Sequence, residues 1–307
     1  MKSIATTLTA LSLLAIGSAH GQTPDALYEQ GTQQAAEGRL EEAGQAFEQA
    51  LQADPLDLSS ASALEIVNDA ASGNIDEATA VHIFKAFVVA NQGAWEQSMA
   101  EADQAVAAEP EYSKAWSSRG NIHAAQEHYE QAIADYSKAI ELNPQDAESY
   151  QSRGAMHTLR EDYDPAIADY TRAVDLNPKY AMSYFNRGVV YANNKKDYDR
   201  ALADFDEALK IDPAFEEVLL NRGLIYAYVK QDVASAVEDF DNVLEINPSL
   251  VAVHLNKAAA FEQAGRTDEA IESYEAYIEK APAEEAGVAE QARQRIDQLK
   301  GGQGTPE

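Results

Sequence analysis

Prolines stand at positions 110, 144, 178, 213, 248 and 282, at intervals of 34, 34, 35, 35 and 34 residues. So even a recurrence points to a fold that grows by adding one unit at a time, because a single globular core imposes no common period. The same run precedes each proline. Unit 113–146 holds Trp116, Gly120, Tyr129, Ala132, Tyr136, Ala139 and Pro144, and unit 147–180 repeats it as Tyr150, Gly154, Tyr163, Ala166, Tyr170, Ala173 and Pro178. In 181–215 come Tyr184, Gly188, Tyr191, Tyr198, Ala201, Phe205, Ala208 and Pro213, and in 216–250 Leu219, Gly223, Tyr226, Ala236, Phe240 and Pro248. Unit 251–284 carries His254, Ala258, Phe261, Gly265, Ala270, Tyr274 and Pro282. Upstream, 24–57 keeps Gly31, Ala43, Phe47, Ala50 and Pro55, while 79–112 retains only Lys85, Ala105 and Pro110.

The residue types explain themselves physically. Small residues at the eighth and twentieth positions of each unit let two helices approach closely. An aromatic at the twenty-fourth is expected to fill the gap between neighbouring units. Proline stops the second helix, because it lacks an N–H and keeps the residue before it out of helical geometry. One such pair alone leaves an apolar face bare, and stacking on its neighbours covers it.

The pattern resembles the tetratricopeptide repeat, a helix-turn-helix unit of about 34 residues. The resemblance covers most of the chain and implies an all-α, right-handed superhelical solenoid with the first helix of each pair on the concave side. Two units carry one extra residue, expected in the turn between the paired helices near Asn193–Lys196 and Lys230–Asp232. The interval from Pro55 to Pro110 is too long for one unit, and 58–78 reads as an inserted helix that breaks or offsets the stack, with Leu64, Ile66 and Val67 as its apolar side. A charged helix over 285–300, with Val288, Ala292, Ile296 and Leu299 on one face, is expected to cap the last unit, and 301–307 to form a disordered tail.

Residues 1–21 read as a secretory signal peptide. Lys2 supplies the positive start, Ile4 to Ile16 the apolar stretch, and Ala19-His20-Gly21 the small residues before a cut at Gln22. The expected location is outside the cytoplasm, in the periplasm or the extracellular space. The chain holds 52 acids against 23 Lys and Arg, a formal net charge of −29. That balance argues against nucleic acid and against direct binding to anionic membranes, since both need clustered cations. With no Cys, disulfides, thiolate metal sites and cysteine nucleophiles are excluded.

The few cations keep register. Lys85, Arg119, Arg153, Arg187, Arg222 and Lys257 all occupy the seventh position, and Glu101, Asp135, Asp169, Asp204 and Asp239 the twenty-third. Charge-assisted pairs along the stack, within a unit or between adjacent units, are one reading, a basic stripe for an anionic ligand the other.

By family geometry the second, fifth, sixth, ninth, twelfth and thirteenth positions face the concave side. There stand Met182, Phe185, Val189, Leu220, Leu224, Tyr228, Leu255 and Ala259, with Asn186, Asn221 and Asn256 at the sixth position of three successive units. The three asparagines look like the asparagine ladder of the tetratricopeptide superhelix in the O-linked N-acetylglucosamine transferase, where amides can bond the backbone of an extended peptide. The bland reading is polar residues tolerated at half-exposed helix sites. Of a chaperone-type carboxylate clamp only Lys114 is present, with Glu148 and Gln151 in the next unit.

No H-E-x-x-H, G-x-S-x-G, phosphate-loop or EF-hand pattern occurs. His123 and His157 share one repeat position and read as packed aromatics rather than metal ligands. The expectation is therefore a non-catalytic scaffold with no cofactor or metal, holding a protein or peptide partner in its groove. A self-assembling structural component of an envelope complex, and so a homo-oligomer, is the alternative.

Overall fold

The computed structural model describes residues 23–302, so the segment read as a signal peptide and residues 303–307 of the tail lie outside it. The chain divides into two compact bodies, Met1–Asn177 and Pro178–Glu307. Both are all-α among the described residues.

The N-terminal body contains α1 (Pro24–Ala36), α2 (Leu40–Ala53), α3 (Leu58–Ala71), α4 (Glu77–Asn91), α5 (Trp95–Ala108), α6 (Ser113–Ala125), α7 (Tyr129–Leu142), α8 (Ala147–Leu159) and α9 (Tyr163–Leu176). The C-terminal body contains α10 (Ala181–Val190), α11 (Tyr198–Ile211), α12 (Glu216–Ile225), α13 (Val233–Ile246), α14 (Val253–Gln263), α15 (Thr267–Lys280) and α16 (Ala286–Gly302).

Helix ends follow the prolines. α7 stops two residues before Pro144 and α11 two before Pro213. The intervening Asn143 (ψ 90°) and Asp212 (ψ 95°) are extended, as a residue ahead of proline must be.

The twenty-fourth-position ring lies against the eighth-position glycine of its own unit, so it fills a gap within the helix pair rather than the expected gap between neighbouring units. A Cβ placed on Gly188 would meet the Phe205 ring at 2.7 Å, and one on Gly223 the Phe240 ring at 2.8 Å. Both rings are completely buried, as are Ala201 and Ala236 at the twentieth position. In the degenerate unit, Ser98 takes the twentieth position and donates its hydroxyl to the Ala86 carbonyl at 2.8 Å.

α3 is built into the core rather than looped out. Its Ala63, Ile66, Val67 and Ala70 share one apolar cluster with Phe47 of α2, Phe84 of α4 and Ala115 of α6. Phe47 stacks on Phe84 with ring centroids 5.8 Å apart. Polar side chains of α3 also meet the start of α6 and the residue before it: Ser62 accepts from the Lys114 ammonium at 3.0 Å, and Asp69 accepts from the Tyr112 hydroxyl at 2.9 Å.

The extra residues of the two long units do not enlarge the turn. They are wound into the ends of the first helices as π-helical segments, Tyr191–Lys195 and Tyr226–Lys230. The turn itself is the same in every unit. One left-handed residue follows each first helix: Gly38, Gly93 and Gly265, but also Glu127, Glu161, Lys196 and Gln231, all at positive φ. An insertion in that turn would disturb the left-handed closure, whereas a wide helical turn absorbs it upstream.

At the C-terminus, α16 lays Ala289, Ala292 and Ile296 inward, and the first two pack on the buried Tyr277. Val288, expected on that face, is 39% exposed, and its neighbour Ala289 takes the place. The helix also runs through Gly301 and Gly302, which sequence assigned to the tail.

Candidate interaction face and its ionic support

Asn186 on α10, Asn221 on α12 and Asn256 on α14 sit at one register position of three consecutive first helices, each half-buried. Two of the three amides are already oriented. Asn221 Nδ2 donates to the Glu217 carbonyl of its own helix at 2.7 Å. Asn186 Nδ2 is shut off from solvent with no acceptor.

The apolar neighbours divide into two groups. Met182 and Tyr228 are 40% and 47% exposed. The rest are partly committed to the interior. Phe185 packs at a tilt against Phe205 and Phe215, with centroids 6.1 and 5.2 Å away. Leu220 and Leu224 lean on the cluster around Phe240, and Leu255 on the Tyr277 cluster that α16 closes. Val189 is half-buried. The π-wound ends of α10 and α12 carry Asn193, Tyr228 and Val229 outward along one edge of this face.

The seventh-position cations are absorbed into the protein. Each arginine grips the twenty-third-position carboxylate of its own unit with two parallel bonds. Arg119 reaches Asp135 at 2.8 and 2.7 Å, Arg153 reaches Asp169 at 2.8 and 2.7 Å, Arg187 reaches Asp204 at 2.9 and 2.7 Å, and Arg222 reaches Asp239 at 3.0 and 2.7 Å. Lys85 pairs with Glu101 at 2.8 Å, and His82 adds a second contact to that carboxylate at 2.6 Å. Bidentate bonding to Asp135 and Asp239 pushes the Arg119 and Arg222 guanidinium pKa values still higher.

A further contact links adjacent units, the other form of pairing the register allowed, through partners the sequence reading did not name. The remaining guanidinium nitrogen of Arg119 reaches back to Asp103 (2.9 Å), that of Arg153 to Ser137 (3.0 Å) and that of Arg222 to Asp206 (2.7 Å). Lys257 has Ser273 at its own twenty-third position and pairs only backwards, with Asp241. Once residues are numbered within units, Asp103, Asp206 and Asp241 also fall in register, and that was the signal available in the sequence.

Lys114, the lone clamp-like cation, is likewise spoken for. It is 8% exposed and lies 3.3 Å from both Glu65 and Glu148 and 3.9 Å from Asp146. His123 and His157 are half-buried beside the twenty-third-position acids, with Nε2 3.8 Å from Asp135 and 4.0 Å from Asp169. Burial pushes the His123 pKa down.

This is the architecture of a helical-repeat protein, with ion pairs joining the two helices of successive units. Tetratricopeptide repeat profiles match residues 113–146, 181–215, and 9–57 together with 222–285, and a TPR repeat profile matches 154–195. These matches cover more than half of the chain, which belongs to the tetratricopeptide repeat family. The match at 9–57 begins inside the segment read as a signal peptide. No curated protein sequence matches the chain. Among solved structures, PilF of Pseudomonas aeruginosa is similar with a TM-score of 0.59 at 18% identity, over 68% of this chain and 94% of that one. A tetratricopeptide repeat protein from Parabacteroides merdae aligns with a TM-score of 0.50 at 14% identity, over 91% of this chain and all of its own. The Cut9 and Hcn1 assembly of the APC/C gives 0.56 at 16% identity, over 87% of this chain and 55% of that one. At such identities these likenesses speak to the fold alone. Proteins of this repeat family serve as protein-interaction scaffolds.

Proposed function

We propose that this chain is an exported, non-catalytic scaffold that holds an extended protein segment on the first-helix face of its C-terminal body. The observation that carries the reading is the repetition of one amide at one register position on three successive helices, two of which also expose the apolar side chains Met182 and Tyr228 at or beyond their ends. An extended backbone needs main-chain partners at regular intervals, and stacked asparagines supply them. The basic-stripe reading has no such support, because the seventh-position cations are engaged by internal acids.

The test is a pull-down from envelope extract with the mature chain and with a variant in which Asn186, Asn221 and Asn256 are all alanine. The variant should lose the captured partner while its far-UV circular dichroism is unchanged. Equal capture by both would refute the assignment of this face. A concentration-dependent dimer that buries Tyr228 and Leu224, seen by light scattering, would favour the self-assembly reading instead. Mass spectrometry of the secreted protein should give an N-terminus at Gln22.

A further inference from the structure

We propose that the segment held on this face is cationic, with lysine or arginine side chains flanking an apolar core. The inference rests on the reading of the face given above and extends it to the chemistry of the partner.

The first ground is the orientation of the amides. The nitrogen of Asn221 is turned onto its own helix and that of Asn186 faces the interior. Their carbonyl oxygens are then the outward atoms, and a carbonyl oxygen only accepts hydrogen bonds. A partner must therefore bring N–H groups, from its backbone or from basic side chains.

The second ground is charge. Residues 182, 185, 186 and 189 share one face of α10, and 217, 220, 221 and 224 one face of α12, by their three- and four-residue spacing. On α14 the corresponding set is 252, 255, 256 and 259. Glu217 is the one charged side chain in these three sets. It is exposed, and among the described residues no ion pair involves it. The neighbouring cations cannot answer it, since Arg187 is bound to Asp204, Arg222 to Asp239 and Asp206, and Lys257 to Asp241.

The third ground is the field of the chain. With 52 acids against 23 cations, long-range attraction steers basic segments inward and repels acidic ones. An acidic segment would meet outward oxygens, an unanswered carboxylate and an unfavourable field together. Met182 and Tyr228, exposed at either side, suit apolar side chains between the charged flanks.

The test uses three fluorescent peptide pools with a common randomised centre of Val, Leu, Ala, Pro and Gly, flanked by paired lysines, glutamines or glutamates. Each pool is titrated into the mature chain by anisotropy at low and at high salt. The lysine pool should bind about tenfold tighter than the glutamine pool at low salt, and the glutamate pool more weakly still. The differences should shrink to within about threefold at high salt, where exposed charges are screened. Glu217→Lys should narrow or reverse the ranking, and the triple Asn→Ala variant should weaken all three pools. Equal affinities, or a preference for glutamate, would overturn the cationic assignment and leave the binding face standing. If no pool binds, or if the triple variant binds all three as the native chain does, the reading of the face fails and the inference fails with it.

Discussion

Replacing Arg222 by methionine should be among the most damaging single changes in the C-terminal body. The guanidinium satisfies both oxygens of Asp239, at 3.0 and 2.7 Å, and the Asp239 side chain is only 2% exposed. Methionine fills similar volume but leaves that carboxylate buried without a partner. Breaking a buried pair from one side costs about 3–5 kcal/mol, and the 22% exposure of Arg222 places this case near the lower end, at about 3 kcal/mol. For a body of this size that corresponds to a fall in Tm of roughly 12 °C, taking about 4 °C per kcal/mol. The outer contact to Asp206 is half-exposed, and Asp206→Ala should move Tm by less than about 3 °C, a surface-pair effect. Replacing both members of the inner pair, Arg222→Met with Asp239→Leu, should restore most of the loss, since the cost lies in the orphaned charge. The deficit also has a pH signature. Burial already pushes the Asp239 carboxyl upward, and losing its cation pushes it further. A carboxyl whose folded pKa lies above its unfolded value favours folding below the unfolded value and loses that contribution as pH rises through the folded one. The Arg222→Met deficit should therefore be largest near neutrality and shrink towards pH about 4. Differential scanning fluorimetry across pH reads all four proteins. A single variant within about 2 °C of the native chain at neutral pH would refute the argument, because that shift is what an exposed pair gives.

Three other outcomes follow from the same geometry. Glu127 and Glu161 close their turns at φ 61° and 64°, where three other units have glycine, so Glu127→Gly should stabilise by about 0.5–1 kcal/mol in urea unfolding. Gly188→Ala drives a Cβ to 2.7 Å from Phe205 and should destabilise by about 1–3 kcal/mol, with partial rescue by Phe205→Leu; an unchanged urea midpoint would contradict the ring-on-glycine packing. Burial, reinforced by Lys280 and Lys257, lowers the His254 pKa, so the unfolded chain takes up its proton first and stability falls as pH drops below about 6.5. His254→Leu, which copies Leu219 of the preceding unit, should flatten that limb of the stability profile.

Much of the architecture was legible because it is encoded locally. Pro144 and Pro213 stop helices through their own missing N–H and their effect on Asn143 and Asp212, which needs no knowledge of the rest of the chain. Gly188 and Phe205 announce a close helix pair because only a residue without a Cβ admits the ring. The pairing of Arg187 with Asp204 could be anticipated from register, since a repeat places equivalent residues at equivalent points. The availability of the asparagines was less legible. Their positions are a matter of spacing, but the turn of Asn221 onto Glu217 depends on one side-chain torsion among neighbours that spacing does not describe.

What the sequence alone determined, then, is the period, the helix boundaries set by proline and the residues that share a face, since each depends on a few neighbouring positions. Only the tertiary structure decided where surplus residues went. Sequence put them in the turns, but the left-handed closure at Lys196 and Gln231 is retained and the surplus is wound into the π segments before it. Only the tertiary structure showed that α3 joins the core around Phe47 and Phe84, and that Lys257, lacking an acid at the twenty-third position of its own unit, reaches back to Asp241. The reason is common to these cases. A turn conformation, a docked insertion and a bond between units are chosen by contacts between residues far apart in the chain, and a repeat pattern specifies each unit without specifying how it meets the next.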